Sequence, residues 1–277
     1  VVIGLVSARE MDTHVFEKFR NIVYEKSGIF LREGKESLVC ARVGKRMRDL
    51  GLDEHHDYLE YLTKDRTGEE VVHLLDAIAT NVTSFFREPN HFDFLGEVVS
   101  RWIAQGQSRF RFWSAACSSG EEPYSMAMVL AETLQTAGSP VDVKILATDI
   151  STRMLEKSRQ GIYDAERIKT VPAALRGRYL ERHRDNGSYA VKETLRRLIV
   201  FKRLNLSDPP FPLTGPLDIV FCRNVMIYFD NTVRKRLLDE LHRLLKPGGY
   251  LMVGHAESLT GLLSDFKSVS PSIYIKR

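Results

Sequence analysis

The sequence predicts an α/β protein: a doubly wound sheet with helices on both faces and a small β insertion, preceded by a small all-helical domain. Three observations carry this. From residue 10 to about 80, apolar residues recur at helical spacing with no alternating strand pattern. After residue 90, short apolar runs of strand length alternate with helix-length segments, the pattern of a parallel sheet. Between Tyr179 and Leu206 that alternation breaks, and two strand-like stretches flank a charged turn.

The elements follow in order. Residues 1–9 open Val-Val-Ile-Gly-Leu-Val without a basic leader and are expected to be a loose arm or an added remnant rather than a signal peptide. Phe16, Phe19, Ile22 and Val23 begin a helical domain over 10–75, continued by Tyr58, Leu59 and Leu62, then by Leu74, Leu75 and Ile78, with glycines at 28, 34, 44, 51 and 68 as punctuation. Residues 76–92 read as a linker and 93–277 as the α/β domain. Phe110 to Ala115 is a buried strand. Pro123, tolerated in a first helical turn, enters a helix to about Ala137. Val143 to Thr148 is a second strand, after which Ser151 or Thr152 caps a helix to about Gln160. Ser188 to Lys192 and Leu198 to Arg203 form the β insertion, placed at about 182–203. Leu217 to Cys222 is a third buried strand. Thr232 to Leu245 is an amphipathic helix stopped by Lys246-Pro247-Gly248-Gly249, and strands at Tyr250 to Val253 and Ser272 to Lys276 finish the sheet.

Composition narrows the function. A chain of 277 residues has room for a buried core without staples. No apolar run reaches about 18 residues, so no membrane insertion is expected. Cys40, Cys117 and Cys222 are odd in number and far apart, which disfavours a disulfide framework or zinc site and suits a reducing cytoplasm. His55-His56 diverge on a helix, and no metal is expected. A net charge of +4 is too small to argue for nucleic acid. Asp208-Pro209-Pro210-Phe211 looks like the box of adenine-N6 DNA methyltransferases, but it precedes a strand instead of following one and reads as a stiff connecting loop.

In a doubly wound sheet the ligand sits at the carboxyl ends of the strands near the switch point. The first strand runs into Ala115-Ala116-Cys117-Ser118-Ser119-Gly120-Glu121-Glu122-Pro123. This is no dinucleotide fingerprint, and Glu121 and Glu122 would repel a pyrophosphate at the helix N-terminus. A cationic ligand such as S-adenosylmethionine (SAM) matches better, while both glutamates could equally complement the helix dipole. Asp149, ending the second strand, is placed for the ribose hydroxyls of an adenosine ligand or for a helix cap, and the two roles are compatible.

Three long segments then carry a resemblance: Asn81-Val82-Thr83-Ser84-Phe85-Phe86-Arg87-Glu88; Trp113-Ser114-Ala115 through Glu121-Glu122-Pro123-Tyr124-Ser125; and Phe221-Cys222-Arg223-Asn224-Val225-Met226-Ile227-Tyr228-Phe229-Asp230. In content, order and spacing the sequence resembles the chemotaxis receptor methyltransferase (CheR) family over nearly its whole length. The resemblance implies a class I SAM-dependent methyltransferase fold and a cytoplasmic protein-glutamate O-methyltransferase. It would esterify glutamates on the cytoplasmic helical bundle of chemoreceptors and release S-adenosylhomocysteine (SAH), with a monomer as the expected state.

By that resemblance Asn81, Thr83 and Arg87 reach the cofactor from the linker, and Ala115 lies beside it. Glu122 faces the methionine ammonium, Asp149 the ribose, and Asn205 and Leu206 the adenine. Arg223, Asn224 and Tyr228 form the loop over the sulfonium and the incoming carboxylate. Arg87 and Tyr228 are the expected catalytic positioning residues, although a salt bridge from Arg87 to Glu88 would also explain that arginine. Phe85, Phe86, Ile227 and Phe229 are expected to pack the core. Arg42, Lys45, Arg46 and Arg48 form a basic cluster that is either a solvated face or, as the resemblance implies, the surface that recognises an acidic receptor. The β insertion looks short for docking a receptor's terminal peptide, which favours tether-independent action. Two other readings stand beside this one: a SAM- or SAH-binding regulatory module without activity, disfavoured by the intact Arg87 and Tyr228, and a nicotinamide-dependent oxidoreductase, disfavoured by the missing glycine fingerprint.

Overall fold

The structure, a computed structural model, describes residues 11–135, 138, 140–183, 187–257, 259, 261 and 265–277. The expected arm at 1–9 lies outside the described residues. The chain divides into two compact units, one of residues up to Thr80 together with Tyr228–Asp230, the other of the remainder.

The first unit is helical: α1 (Thr13–Ser27), α2 (Glu36–Leu50), α3 (His55–Lys64) and α4 (Glu69–Ile78). Asp12 caps α1 by accepting from the His14 and Val15 backbone N–H groups, and Gly28, at φ 70°, ends it in the left-handed conformation that suits glycine. Phe16, Phe19, Val23, Val39, Val43, Met47, Leu62 and Leu74 fill its core. Glu70 is buried there, and its carboxylate takes a two-point bond from Arg46 (3.0 and 2.6 Å) and a third from the Tyr58 hydroxyl (2.7 Å). Burial opposes the charge of Glu70, but these donors leave its carboxyl below the ordinary range, while burial and Glu70 together raise the Tyr58 phenol. Residues 228–230 join this unit through the Ile29–Phe229 bridge and the Tyr24 hydroxyl on Asp230 (2.6 Å).

The second unit holds α5 (Asn90–Ala104), β1 (Arg109–Ala115), α6 (Glu121–Gln135), β2 (Asp142–Asp149), α7 (Thr152–Gln160), β3 (Ile162–Asp164), α8 (Ala173–Tyr179), β4 (Leu180–His183), β5 (Ser188–Val191), α9 (Glu193–Arg196), β6 (Ile199–Arg203), β7 (Leu217–Cys222), α10 (Asn231–Leu244), β8 (Leu245–Met252), β9 (Phe266–Ser270) and β10 (Ile273–Lys276). Seven strands form one sheet in the order β6-β2-β1-β7-β8-β10-β9. β6 through β8 run parallel, and β10 lies antiparallel between β8 and β9. The expected all-parallel sheet is therefore mixed at one edge. The short segment between β9 and β10 makes a hairpin, which forces antiparallel pairing. Strand order reverses beside β1, so the carboxyl ends of β1 and β7 flank the switch point. Ser151 caps α7 by accepting from the Met154 N–H at 3.2 Å.

The β insertion differs from expectation. A three-stranded sheet of order β3-β5-β4 lies within residues 162–191, and β6 is not part of it. Ile199 to Arg203 pairs instead with Ile145 to Asp149 as the edge strand of the main sheet. The one-turn α9 turns the chain away after β5, and β3 is only three residues long, too short to show a period in the sequence. Among the described residues no helix is long and apolar enough to cross a membrane.

Candidate functional site

The loop after β1 turns back on itself through left-handed residues: Ala116 at φ 66°, Ser118 at φ 49° and Gly120 at φ 97°. At Gly120 a side chain would strain the backbone, and its Cβ would lie 2.9 Å from the Tyr163 hydroxyl and 3.1 Å from Ser158. The loop thus packs down on β3 and α7 while its backbone wraps the end of β1. The Ser118 N–H donates to Asp149 Oδ2 at 2.8 Å, and Asp149 Oδ1 accepts from the Ser151 N–H at 2.9 Å. Asp149 therefore joins the loops after β1 and β2, and the cap of α7 falls to Ser151. The Asp149 carbonyl takes the Leu204 N–H (3.1 Å), which brings Asn205 and Leu206 to the same edge. Leu206 is buried, and Asn205 Oδ1 accepts from Ser207. The Ser118 hydroxyl reaches the Asn81 carbonyl at 3.4 Å, so the linker joins there too.

The two adjacent glutamates have different roles. Glu121 is buried, held by Ser119 Oγ (2.7 Å) and Arg167 (2.5 Å), and serves the packing of the insertion. Glu122 faces the switch point, where its Oε1 accepts from Ser114 Oγ at 2.7 Å and its Oε2 from Arg223 at 3.1 Å. Burial pushes the Glu122 carboxyl up, with Arg223, Ser114 and Arg87 pulling the other way. Arg223 is buried between two acids, because Glu88 Oε2 also receives its guanidinium at 3.0 Å, and the rings of Phe92 and Phe221 lie 5.6 and 5.7 Å from its centre. A further bond runs from Arg223 to the Arg87 carbonyl. Glu88 is thus committed to Arg223, and the Arg87 guanidinium donates to the Val82 carbonyl (3.0 Å), so the alternative salt bridge between Arg87 and Glu88 is replaced by these partners.

The structure brings together Asn81, Arg87, Ala115, Glu122, Asp149, Asn205, Leu206, Arg223 and Asn224 within the sheet unit, with Thr83 in the same linker. Tyr228 falls with the helical unit, as does the basic cluster. That cluster is not uniform. Arg46 is bound to Glu70, and Arg42 donates to the Ile78 carbonyl and to Thr80 Oγ1, so both are built into the helical unit, while Lys45 and Arg48 are exposed. Of the four aromatic and aliphatic residues expected in the core, Phe85 is buried, Phe86 and Phe229 are half-buried, and Ile227 is 48% exposed, because the short 3-10 turn that holds it offers only one inward position, taken by Met226.

Sequence reasoning missed Glu88, Ser114 and Glu257. Glu88 and Ser114 lay inside the quoted segments. The signal for Glu257 is an acid just past the apolar end of β8, where the sheet delivers residues to this edge. Glu88, His91 and His255 place one ligand-type atom each within 4.8 Å of one another, but Arg223 already sits on the same Glu88 carboxylate and would repel a second cation.

The chain is similar to known proteins over most of its length. The model of the CheR methyltransferase all-alpha domain matches residues 14–79, and that of the CheR methyltransferase SAM binding domain matches residues 81–275. A chemotaxis protein methyltransferase of Borreliella burgdorferi is 40% identical over 92% of this chain and 91% of its own. Chemotaxis protein methyltransferase 2 of Pseudomonas aeruginosa is 40% identical over 94% and 91%, and the chemotaxis protein methyltransferase of Escherichia coli 38% over 95% and 90%.

Proposed function

The chain belongs to the CheR methyltransferase family and is a SAM-dependent methyltransferase of chemotaxis; from that premise we propose that it transfers methyl groups to glutamate side chains on the cytoplasmic helical bundle of chemoreceptors. The observation that carries the reading is the Ser114–Glu122–Arg223–Glu88 array at the switch point, with Asp149 at the next strand end.

The donor set fits SAM. The ligand has an ammonium, a sulfonium and a ribose diol, which call for acidic acceptors, and no phosphate. Glu122 would hold the ammonium and Asp149 the diol, with Asn205 and Leu206 at the base and Asn81 and Thr83 along the linker. When bound, SAM supplies a methyl group on a positively charged sulfur.

The protein's task is positional. A glutamate carboxylate is ionised at neutral pH, so the attacking oxygen needs no general base. Arg87 would take the second oxygen of that carboxylate, and Tyr228 would orient it. Holding an oxygen in line can supply several kcal/mol of the barrier. Arg223 lies between Glu122 and Glu88 and offsets one of their two charges, and the SAM ammonium on Glu122 would offset the other, so that an incoming carboxylate does not meet uncompensated negative charge. A receptor contact through exposed Lys45 and Arg48, a cytoplasmic location and a monomeric state belong to the same proposal.

The test is calorimetric binding of SAH together with methylation of receptor cytoplasmic fragments by labelled SAM. Binding in the micromolar range and base-labile label on glutamate support the proposal. Arg87→Ala then loses transfer while retaining SAH, and Asp149→Ala weakens SAH. Base-stable label, or no binding, overturns it; binding without transfer to any receptor fragment favours the regulatory-module reading.

A further inference from the structure

The carboxylate of Glu257 has no part in the chemistry above, yet it is 4% exposed and surrounded by backbone donors. Its Oε2 accepts from the Asn224 N–H and the Gly254 N–H, each at 2.7 Å, and its Oε1 from the Ile227 N–H at 3.3 Å, with the Met226 N–H also bonded to it. Three of these four donors belong to the loop after β7, whose Asn224 is held at φ 57°. The fourth is at the end of β8. A buried carboxylate that receives several N–H bonds fixes the segments that supply them, because each donor would lose its partner if the loop moved.

Gly254 completes the arrangement. A Cβ there would run into the Asn224 side-chain amide and approach Glu257 Oε2 to 2.9 Å, so only glycine lets the three groups close on one another. The same turn also reaches the acidic array, since the His255 N–H donates to Glu88 Oε1 at 3.3 Å. The Arg223–Ile227 loop is thereby held from two sides: its arginine side chain by Glu88 and Glu122, and its backbone by Glu257.

We infer that Glu257 is a positioning residue for the cofactor site, a buried carboxylate latch that sets the Asn224–Ile227 backbone and, through it, the placement of Arg223 and Asn224. This rests on the proposed role of that loop in holding SAM. Latching by an acceptor-only group makes a specific demand. Glutamine is the closer match in shape but puts an amide donor against backbone donors, whereas aspartate keeps the charge and all four acceptor sites on a shorter stem.

The experiment measures backbone amide exchange and SAH affinity in the full chain for wild type, E257Q and E257D. In E257Q, exchange at Asn224, Ile227 and Gly254 is expected to rise about tenfold or more while Phe112 and Val220 in the sheet stay protected, and the SAH dissociation constant to rise about tenfold. E257D is expected to fall between E257Q and wild type, the reverse of the order that simple packing predicts. Wild-type exchange and affinity in E257Q, or E257D worse than E257Q, overturns the inference. Should E257Q fail to fold, G254A displaces Asn224 and the carboxylate without changing charge, and is read the same way. If wild type does not bind SAH, the proposed function fails while the exchange measurement still decides the latch.

Discussion

Desolvation shifts Glu122 and His91 in opposite directions, and acidification acts against both, against ligand binding at Glu122 and against stability at His91. Burial raises the Glu122 carboxyl, with Arg223 and Ser114 pulling it down. A ligand ammonium favours the ionised form, so binding expels a proton and affinity is lost as pH falls through the raised value. SAH affinity should therefore weaken on acidification, with proton release visible as a buffer-dependent heat; E122Q should bind more weakly and show less of both. A wild-type affinity flat in pH would contradict this role. His91 is fully buried, neither ring nitrogen has a hydrogen-bond partner among the described residues, and burial, with Arg223, pushes it down to about 4. The unfolded chain takes up this proton near pH 6.5 and the folded one does not, so stability is present above that value and lost as pH falls towards about 4. At about pH 5 the loss is on the order of 2 kcal/mol. His91→Phe, which keeps the aromatic contact with Phe221, should remove that part of the acid sensitivity in denaturant titrations at about pH 7.5 and about pH 5. At this scale the placement of Glu122 and Asp149 beside the strand ends was legible, because strand ends and local charge point there. Glu257 was not, since its partners in the loop after β7 are thirty and more residues away and a hydrogen bond to a backbone N–H leaves no mark on the donor's identity.

The elements show where periodicity succeeds and where it fails. α1 and α7 announce themselves through Asp12 and Gly28, and through Ser151 and Gly161, because caps are local chemistry. β6 was misassigned to the insertion because a strand's sequence does not say which neighbour it pairs with; Ile199 and Phe201 suit either sheet, and the register with β2 is a long-range choice. Helix α2 carries the same lesson for charge. Its spacing gathers Arg42, Lys45 and Arg46 on one face, but only the tertiary contact with Glu70 separates a structural arginine from a docking one. Arg46→Glu puts a second acid against a buried carboxylate and should destabilise the helical unit by roughly 3 kcal/mol, read as a lower melting temperature. The double reversal Lys45→Glu with Arg48→Glu should leave melting unchanged and raise KM for receptor fragments but not for SAM. If both variants melt like wild type, the Arg46–Glu70–Tyr58 set is not the brace described; if KM for receptor does not move, Lys45 and Arg48 are a solvated face.

For the whole molecule, a net charge of +4 predicts little, because its distribution matters more than its sum. The acids proposed for the cofactor are paired and largely shielded: half-buried Glu122 and Glu88 with buried Arg223, and buried Asp149 with two backbone N–H groups. Exposed cations such as Lys45 and Arg48 remain available to an acidic partner. Salt separates the two populations. The Debye length shrinks from about 30 Å at about 0.01 M to about 8 Å at about 0.15 M, which screens exposed charges over the distances of encounter but hardly touches buried pairs. If the receptor is drawn to the protein by charge, kcat/KM for receptor fragments should fall several-fold across that range, with the change in KM, while the SAH dissociation constant stays nearly constant. The dependence should also flatten in the Lys45→Glu, Arg48→Glu double variant. It should weaken as methylation proceeds, because each glutamate ester formed in the proposed reaction would remove one negative charge from the receptor surface. A kcat/KM indifferent to salt would mean that shape and apolar contact bring the receptor in, and exposed Ile227 and Val82 would become the residues to substitute next.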